Sequence, residues 1–252
     1  MKEEMTSKSY WNRLYKRERR LPITENLHSL PFLRLNNIFI DKLSKSKKIE
    51  FFEIGCAPGS WMHYFHTVFG YQVYGLDYTN NAIEISKRNL DYLNIKSTLI
   101  KSNILKYKND IQYDVVFSAG FIEHFRGKML DDIIKIHVNL TKPRGLIIII
   151  VPNLNGINKY IQTILDRRVL NIHNDEVMNL KYFENISKEY KLKIIFNDYV
   201  GGINFGLFSG NIWLLRIGYL FQIIIDWLSR LLNISFRDCK WWSPYIVTIL
   251  KK

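Results

Sequence analysis

Four places in this sequence have the residue types and spacing to do chemistry. The first is 53–60, Glu-Ile-Gly-Cys-Ala-Pro-Gly-Ser, where an apolar run meets two glycines and then a serine that can open a helix. Gly55 and Gly59 tolerate backbone conformations that a Cβ forbids, and they let a ligand come close to the main chain. The second is Asp77, 22 residues after Gly55 and at the end of the next apolar run. An acidic side chain there can accept hydrogen bonds from both hydroxyls of a ribose. The third is the pair Glu123-His124. A histidine of ordinary pKa, about 6.5, exchanges its proton near neutral pH and can serve as a general base. The fourth, His173, is a second candidate for the same task. His63 and His66 follow the glycine loop on a helical segment and read as packing or surface residues. The loop is not a pyrophosphate cradle. The G-x-G-x-x-G pattern needs a second glycine where Ala57 stands, followed here by Pro58.

The elements that must position these residues follow from the apolar pattern. Short apolar runs at 49–54, 71–76, 97–101, 113–118 and 145–151 predict strands, and the segments 61–69, 80–93 and 129–140 between them predict helices. Strands alternating with helices give βαβ units, and continuous apolar strands fit a mostly parallel sheet covered on both faces. Such sheets bind ligands beyond the carboxyl ends of their strands, the edge on which Gly55 and Asp77 both fall. Helices are expected before this region at 9–20, carrying Tyr10, Trp11 and Tyr15, and at 30–43. After Pro152 come helices at 158–168 and 176–190, a strand at 191–196, an apolar stretch at 212–234 and a last strand at 245–250.

Glu53-x-Gly55-x-x-x-Gly59 followed by Asp77 resembles the first two motifs of the class I S-adenosylmethionine-dependent methyltransferases. Residues 113–125, Tyr-Asp-Val-Val-Phe-Ser-Ala-Gly-Phe-Ile-Glu-His-Phe, are similar to that family's fourth-strand motif, most of all in the branch with the ubiquinone-biosynthesis O-methyltransferases and many small-molecule and polysaccharide-pathway enzymes. Lys142-Pro-Arg-Gly145 matches its turn into strand five, the His173 region its lead into strand six, and 245–250 its reversed seventh strand. The resemblance spans roughly 45–200 and the end of the chain. It implies an α/β, Rossmann-like fold with a seven-stranded, mostly parallel sheet and helices on both faces. It also implies S-adenosyl-L-methionine as cofactor and no metal. Carried onto these positions, Glu53 orients the glycine loop and the methionine amino group. Gly55 and Gly59, with Cys56 and Ala57 between them, flank the methionine part. Asp77 binds the ribose, Tyr78 lies against the adenine, Asn103 meets the adenine amino group, and Ala119 and Gly120 floor the methyl group. His124 is then the base that takes a hydroxyl proton, with Glu123 orienting it or capping the following segment. By analogy with the family, the Tyr10-Trp11 helix closes over the cofactor.

The expected organisation is N-terminal helices at 1–44, a cofactor-binding core at 45–202, an apolar insertion at 203–240 and a final core strand at 241–252. The expected reaction is methylation of an oxygen on a small-molecule, sugar or lipid-linked acceptor. Two rivals have specific content. Ala57-Pro-Gly-Ser-Trp61 looks like the loop of RNA ribose methyltransferases, but their Lys-Asp-Lys-Glu tetrad needs an aspartate where Ser118-Ala119-Gly120 stands. Nor is Ser118-Ala-Gly-Phe121 the Asp/Asn-Pro-Pro-aromatic motif of base N-methylation. The other rival is a non-catalytic module that binds the cofactor or docks on a membrane.

The net charge of +13 over 252 residues favours an acidic partner, and it is also what a lysine-rich composition puts on any solvated surface. Nucleic acid is the less expected partner, because only charge argues for it. Two cysteines without metal or redox spacing, and a start Met1-Lys-Glu-Glu without an apolar run, make cytoplasm the default expectation, with peripheral membrane attachment as its variant. That variant rests on 212–234. At ~100° per residue, Arg216, Gln222, Asp226, Ser229, Arg230 and Asn233 fall within a ~140° arc, and tryptophan, leucine, isoleucine and phenylalanine fill the rest. Three charges in it argue against a transmembrane span. It can pack on the core or on a second subunit, lie on an anionic membrane surface, or cover a greasy acceptor.

Overall fold

In the computed structural model the described residues are 3–17, 30–108, 110–203, 220, 221, 223–225, 227, 228, 231 and 237–252. After helices α1 (Lys8–Arg17) and α2 (Leu30–Lys42) the chain alternates through β1 (Glu50–Ile54), α3 (Ser60–Phe69), β2 (Gln72–Asp77), α4 (Asn80–Tyr92), β3 (Ser97–Lys101), β4 (Tyr113–Ala119), α5 (Gly127–Leu140) and β5 (Thr141–Pro152). Then come α6 (Gly156–Leu165), α7 (Arg167–Asn171), α8 (Leu180–Glu189), β6 (Lys193–Val200) and β7 (Tyr245–Lys251). The seven strands form one sheet in the order β3-β2-β1-β4-β5-β7-β6. β1 to β5 are parallel, and β7 runs antiparallel between β5 and β6.

Side chains alternate across a strand, so each continuous apolar run supplies two cores. Phe52, Ile54, Val116, Ile147, Ile149 and Ile246 face α5 and α8, where Leu130, Ile133, Ile134 and Phe183 meet them. Phe51, Val115, Phe117, Ile148, Ile150 and Val247 face the other way, against Phe39 of α2, Met62, Phe65 and Phe69 of α3 and Leu90 of α4. This second layer is aromatic: Phe65 stacks on Phe51 with ring centroids 4.4 Å apart and meets Phe117 edge-on at 5.3 Å.

Several boundaries move from their predicted places for local reasons. The segment 142–145, read as a turn, lies within β5: Tyr113 pairs with Thr141, and the register then shifts so that Val115 pairs with Leu146. Lys142 pins this irregular stretch to the neighbouring strands by bonding Glu50 at 2.8 Å and Asp114 at 3.0 Å. The helix expected at 158–168 is two, broken at Asp166, whose carboxylate takes both Nε and Nη2 of Arg168. The one expected at 176–190 is a 3-10 turn and then α8. Asn174 and Asn179 each start a new cap by accepting the backbone N–H two residues on. Much of 212–234 lies outside the described residues, among them Arg216, Gln222, Asp226, Ser229, Arg230 and Asn233.

Candidate active site

The glycine loop is shaped by β2. The backbone N–H groups of Gly55 and Cys56 both donate to the carbonyl of Leu76, at 2.8 and 3.2 Å, so the chain curls over the end of the neighbouring strand. Gly55 has φ +77°, and a Cβ there would meet Cδ2 of Phe121 at 2.7 Å. Gly59, at φ +92°, leads into α3 and donates to the Cys56 carbonyl at 2.7 Å. The side chain of Cys56 turns away from the loop and packs against Gly75.

Asp77 ends β2. Its Oδ1 accepts the Thr79 N–H at 3.0 Å, and Thr79 in turn caps α4 by accepting from Ala82. Burial lifts the Asp77 carboxyl to about 6, against the opposing effect of the hydrogen bonds from Thr79 and Tyr78. Glu53 lies deeper, 2% exposed, with one carboxylate oxygen lacking a hydrogen-bond partner. Burial raises its pKa well above the usual range, and a bond from the Met62 backbone opposes this. At the head of α3 the buried Ser60 hydroxyl is also without a partner.

β4 delivers the other wall. Gly120, at φ +65°, donates to the Ile150 carbonyl, and a 3-10 turn over Ile122–His124 follows. This turn buries Glu123 and His124, which are 1% and 5% exposed. The Nδ1 of His124 lies 2.8 Å from the Ile172 carbonyl, and the indole of Trp11 meets its ring edge-on at 5.0 Å. Burial and the neighbouring His173 depress the His124 pKa to about 3, and burial lifts that of Glu123 to about 8.

One pocket joins these parts. Gly55, Ala57, Asp77, Tyr78, Asn103, Ala119, Gly120 and His124 line it. Glu53, Cys56, Gly59 and Glu123 are not on its wall and lie behind it. Asn103 spends its amide oxygen on the Leu105 N–H, 2.9 Å away, as the cap of a short 3-10 turn. His63 and His66 lie on α3, and His66 bonds the Tyr71 carbonyl.

Leu76 and the 102–105 turn also line the pocket, as do Glu4, Trp11, Tyr15, Phe121, Phe125 and Met129. Of these last six, only the Trp11 helix drew an expectation from the sequence. The N-terminal segment is tied down over the pocket by a Glu4–Phe125 bridge and by the Met5 N–H on the His124 carbonyl at 2.8 Å. Tyr78 donates to Glu4, and Asn81 to the Asn12 carbonyl. Tyr10, singled out with Trp11, is not on the wall. These contacts link residues about 70 to 120 positions apart, and no local spacing announces them.

The residues present suit an adenosyl sulfonium ligand. A buried acid sits at the β2 end where a ribose would lie, glycines allow close approach at Gly55 and Gly120, and unpartnered polar atoms at Glu53 and Ser60 back the loop. Comparison with known proteins agrees. Residues 51–145 match the family model described as a methyltransferase domain. The ubiquinone biosynthesis O-methyltransferase of Rickettsia bellii (strain OSU 85-389) is 30% identical over 155 residues, 59% of each chain, so the match spans under two thirds of that relative. Among solved structures, an S-adenosylmethionine-dependent methyltransferase from Aquifex aeolicus superposes with a TM-score of 0.59 at 11% identity, over 98% of both chains. The geranyl diphosphate C-methyltransferase of Streptomyces coelicolor A3(2) does so with a TM-score of 0.55 at 16% identity, over 86% of this chain and 78% of that one. The sheet therefore has the fold of the class I S-adenosylmethionine-dependent methyltransferases, and the stretch 51–145 within it is what resembles a methyltransferase domain.

Proposed function

We propose that this protein transfers a methyl group from S-adenosylmethionine to a hydroxyl oxygen of a small-molecule, sugar or lipid-linked acceptor. The observation that carries the reading is the single pocket in which Gly55, Asp77 and Gly120 share one wall system with His124 and an apolar rim of Trp11, Tyr15, Phe121, Phe125 and Met129. Asp77 and the loop from Gly55 hold the nucleoside and methionine parts, with Glu53 setting the loop from behind. The cofactor supplies an activated methyl group. What the chain must add is alignment, exclusion of water and removal of the hydroxyl proton. α1 and the Glu4–Phe125 bridge close the pocket. The apolar rim suits an aromatic or isoprenoid body, and the hydroxyl then falls at the His124 end. The name of the 30%-identical relative supports oxygen as the acceptor atom.

The acceptor's greasy character fits a second feature. Leu220, Phe221, Ile224, Trp227, Leu228 and Leu231 are helical, and each is at least 40% exposed. On α6, Ile157, Tyr160 and Ile164 share one exposed face, and exposed Trp241 stands at its start, where its carbonyl accepts the Ile157 N–H. Aromatic and aliphatic side chains with lysines nearby (Lys159 and Lys240) suit an anionic lipid surface. Among the described residues no helix is long and apolar enough to cross a membrane, so the proposal is surface docking.

The test is a screen of phenolic, sugar and lipid-linked hydroxyl acceptors with methyl-labelled S-adenosylmethionine. An O-methylated product from at least one class is expected. Labelling of RNA with every hydroxyl acceptor silent would overturn the reading.

A further inference from the structure

On the pocket wall and behind it, His124, Glu123 and His173 each offer one metal-ligating atom. These atoms all lie within 4.8 Å of one another, and among the described residues this is the one such group of three. The two imidazoles sit side by side, with ring centroids 4.8 Å apart. Their orientation is fixed by the backbone: Nδ1 of His124 is 2.8 Å from the Ile172 carbonyl, and Nδ1 of His173 is 2.6 Å from that of Val169. A carbonyl can only accept, so both Nδ1 atoms carry the hydrogen and both Nε2 atoms present a lone pair. This is the way metal-bound histidines are held. The carboxylate of Glu123 completes the set. It is 1% exposed, one of its oxygens has no hydrogen-bond partner, and the other lies 3.9 Å from Nε2 of His124, too far for a hydrogen bond. Two imidazole lone pairs and a buried carboxyl oxygen without a partner make a donor set that a cation would satisfy. Ligands at about 2.0–2.2 Å from a shared ion are roughly 3.4 Å apart in tetrahedral geometry, so a contraction of at most about 1.4 Å closes the site.

We propose that Glu123, His124 and His173 bind a divalent transition-metal ion at the pocket wall, where His124 is the ligand that also lines the pocket. Two imidazoles and one carboxylate with positions left free suit Zn(II), Mn(II), Fe(II) or Co(II). This deepens the O-methylation reading and rests on it for its purpose. An acceptor hydroxyl bound at the open position is acidified, its O–H bond breaks and the proton passes to solvent water. The oxygen's electron pair then forms the new bond to carbon as the sulfonium–methyl bond breaks, leaving a thioether. Asn174 holds the ligands' backbone together: its N–H donates to the Glu123 carbonyl at 2.6 Å and its side-chain amide to the Phe125 carbonyl at 3.0 Å.

The test is titration of the chelator-treated, desalted full chain with Co(II), read by visible absorption and calorimetry, beside a titration with S-adenosylmethionine. One Co(II) per chain is expected to bind, displaceable by Zn(II). His173→Gln and Glu123→Gln should each weaken it at least 100-fold while circular dichroism stays unchanged, and His63→Gln should leave it unaltered. Failure of Co(II), Zn(II) and Mn(II) to bind at 100 µM, or undiminished binding to folded His173→Gln, would overturn the site. Cofactor binding without metal binding sinks this inference alone; metal binding without cofactor binding sinks the methyl-transfer reading and leaves the site standing.

Discussion

Asp77 is held against its own charge. Its pKa of about 6 means that the folded protein keeps this proton more tightly than the unfolded chain does. The stability this represents is therefore fully present below about pH 4 and lost as pH rises through 6, costing about 3 kcal/mol at neutral pH. A ligand's hydroxyls that donate to the carboxylate would recover it. Two outcomes are expected. Asp77→Asn should melt at a higher temperature than the wild type at pH 7.5, yet bind S-adenosylmethionine about 10- to 100-fold more weakly, since a hydrogen bond to a charged acceptor contributes ~1.5–3 kcal/mol. Wild-type affinity should fall by about tenfold between pH 7.5 and 5 as the carboxylate is protonated. Both are read by calorimetry with parallel thermal melts. If Asp77→Asn binds the ligand normally, the ribose site is misplaced. At this scale the sequence placed Gly55, Ala57 and Asp77 at strand ends, and the structure brings all three to one pocket. It was not legible where a neighbour decides: Asn103 serves first as a cap. His124 and His173, 49 positions apart, meet only because the turn after β4 and the end of α7 close on each other.

Helix α3 is the element on which the loop rests. Its aromatic face is a contiguous stack in which Phe65 touches Phe39, Phe51, Phe69, Tyr71 and Phe117. Phe65→Ala should cost about 3–5 kcal/mol of stability, measured by urea unfolding. A cost near zero would mean that the layer over this face of the sheet is not a close-packed core. Helix α1 does a different job. Trp11 and Tyr15 are pocket wall more than core, so Trp11→Ala with Tyr15→Ala should weaken ligand binding by about 100-fold, since a buried aromatic contributes ~1.5–3 kcal/mol. The unfolding midpoint should barely move. Strand and helix existence was readable throughout, because the apolar period changes at each junction. The breaks at Asp166 and Asn179 were not, because single side chains capping the backbone override a continuous helical pattern.

The molecule as a whole carries +13 net charge and exposes apolar side chains on α6, on the helical residues between 220 and 231, and at Trp241. Co-sedimentation with vesicles containing phosphatidylglycerol should retain the protein at low salt and release much of it as salt screens the charge. Trp241→Ser with Tyr160→Ser should weaken retention without altering the fold. Equal binding to neutral vesicles, or a stable dimer that buries this surface instead, would reject lipid docking. The count of seven strands and the reversal of the last followed from the family resemblance, whereas the order of strands across the sheet came from the structure. The amphipathic arc of 212–234 falls largely outside the described residues, so the exposed side chains carry that part of the account.

The central claim is that the pocket from Gly55 to His124 takes S-adenosylmethionine, and calorimetric titration of the purified chain with S-adenosylmethionine, S-adenosylhomocysteine and NAD tests it most directly. Micromolar binding of the two adenosyl ligands with NAD silent is the predicted result. Binding of NAD, or silence of both adenosyl ligands with and without anionic vesicles present, would contradict it.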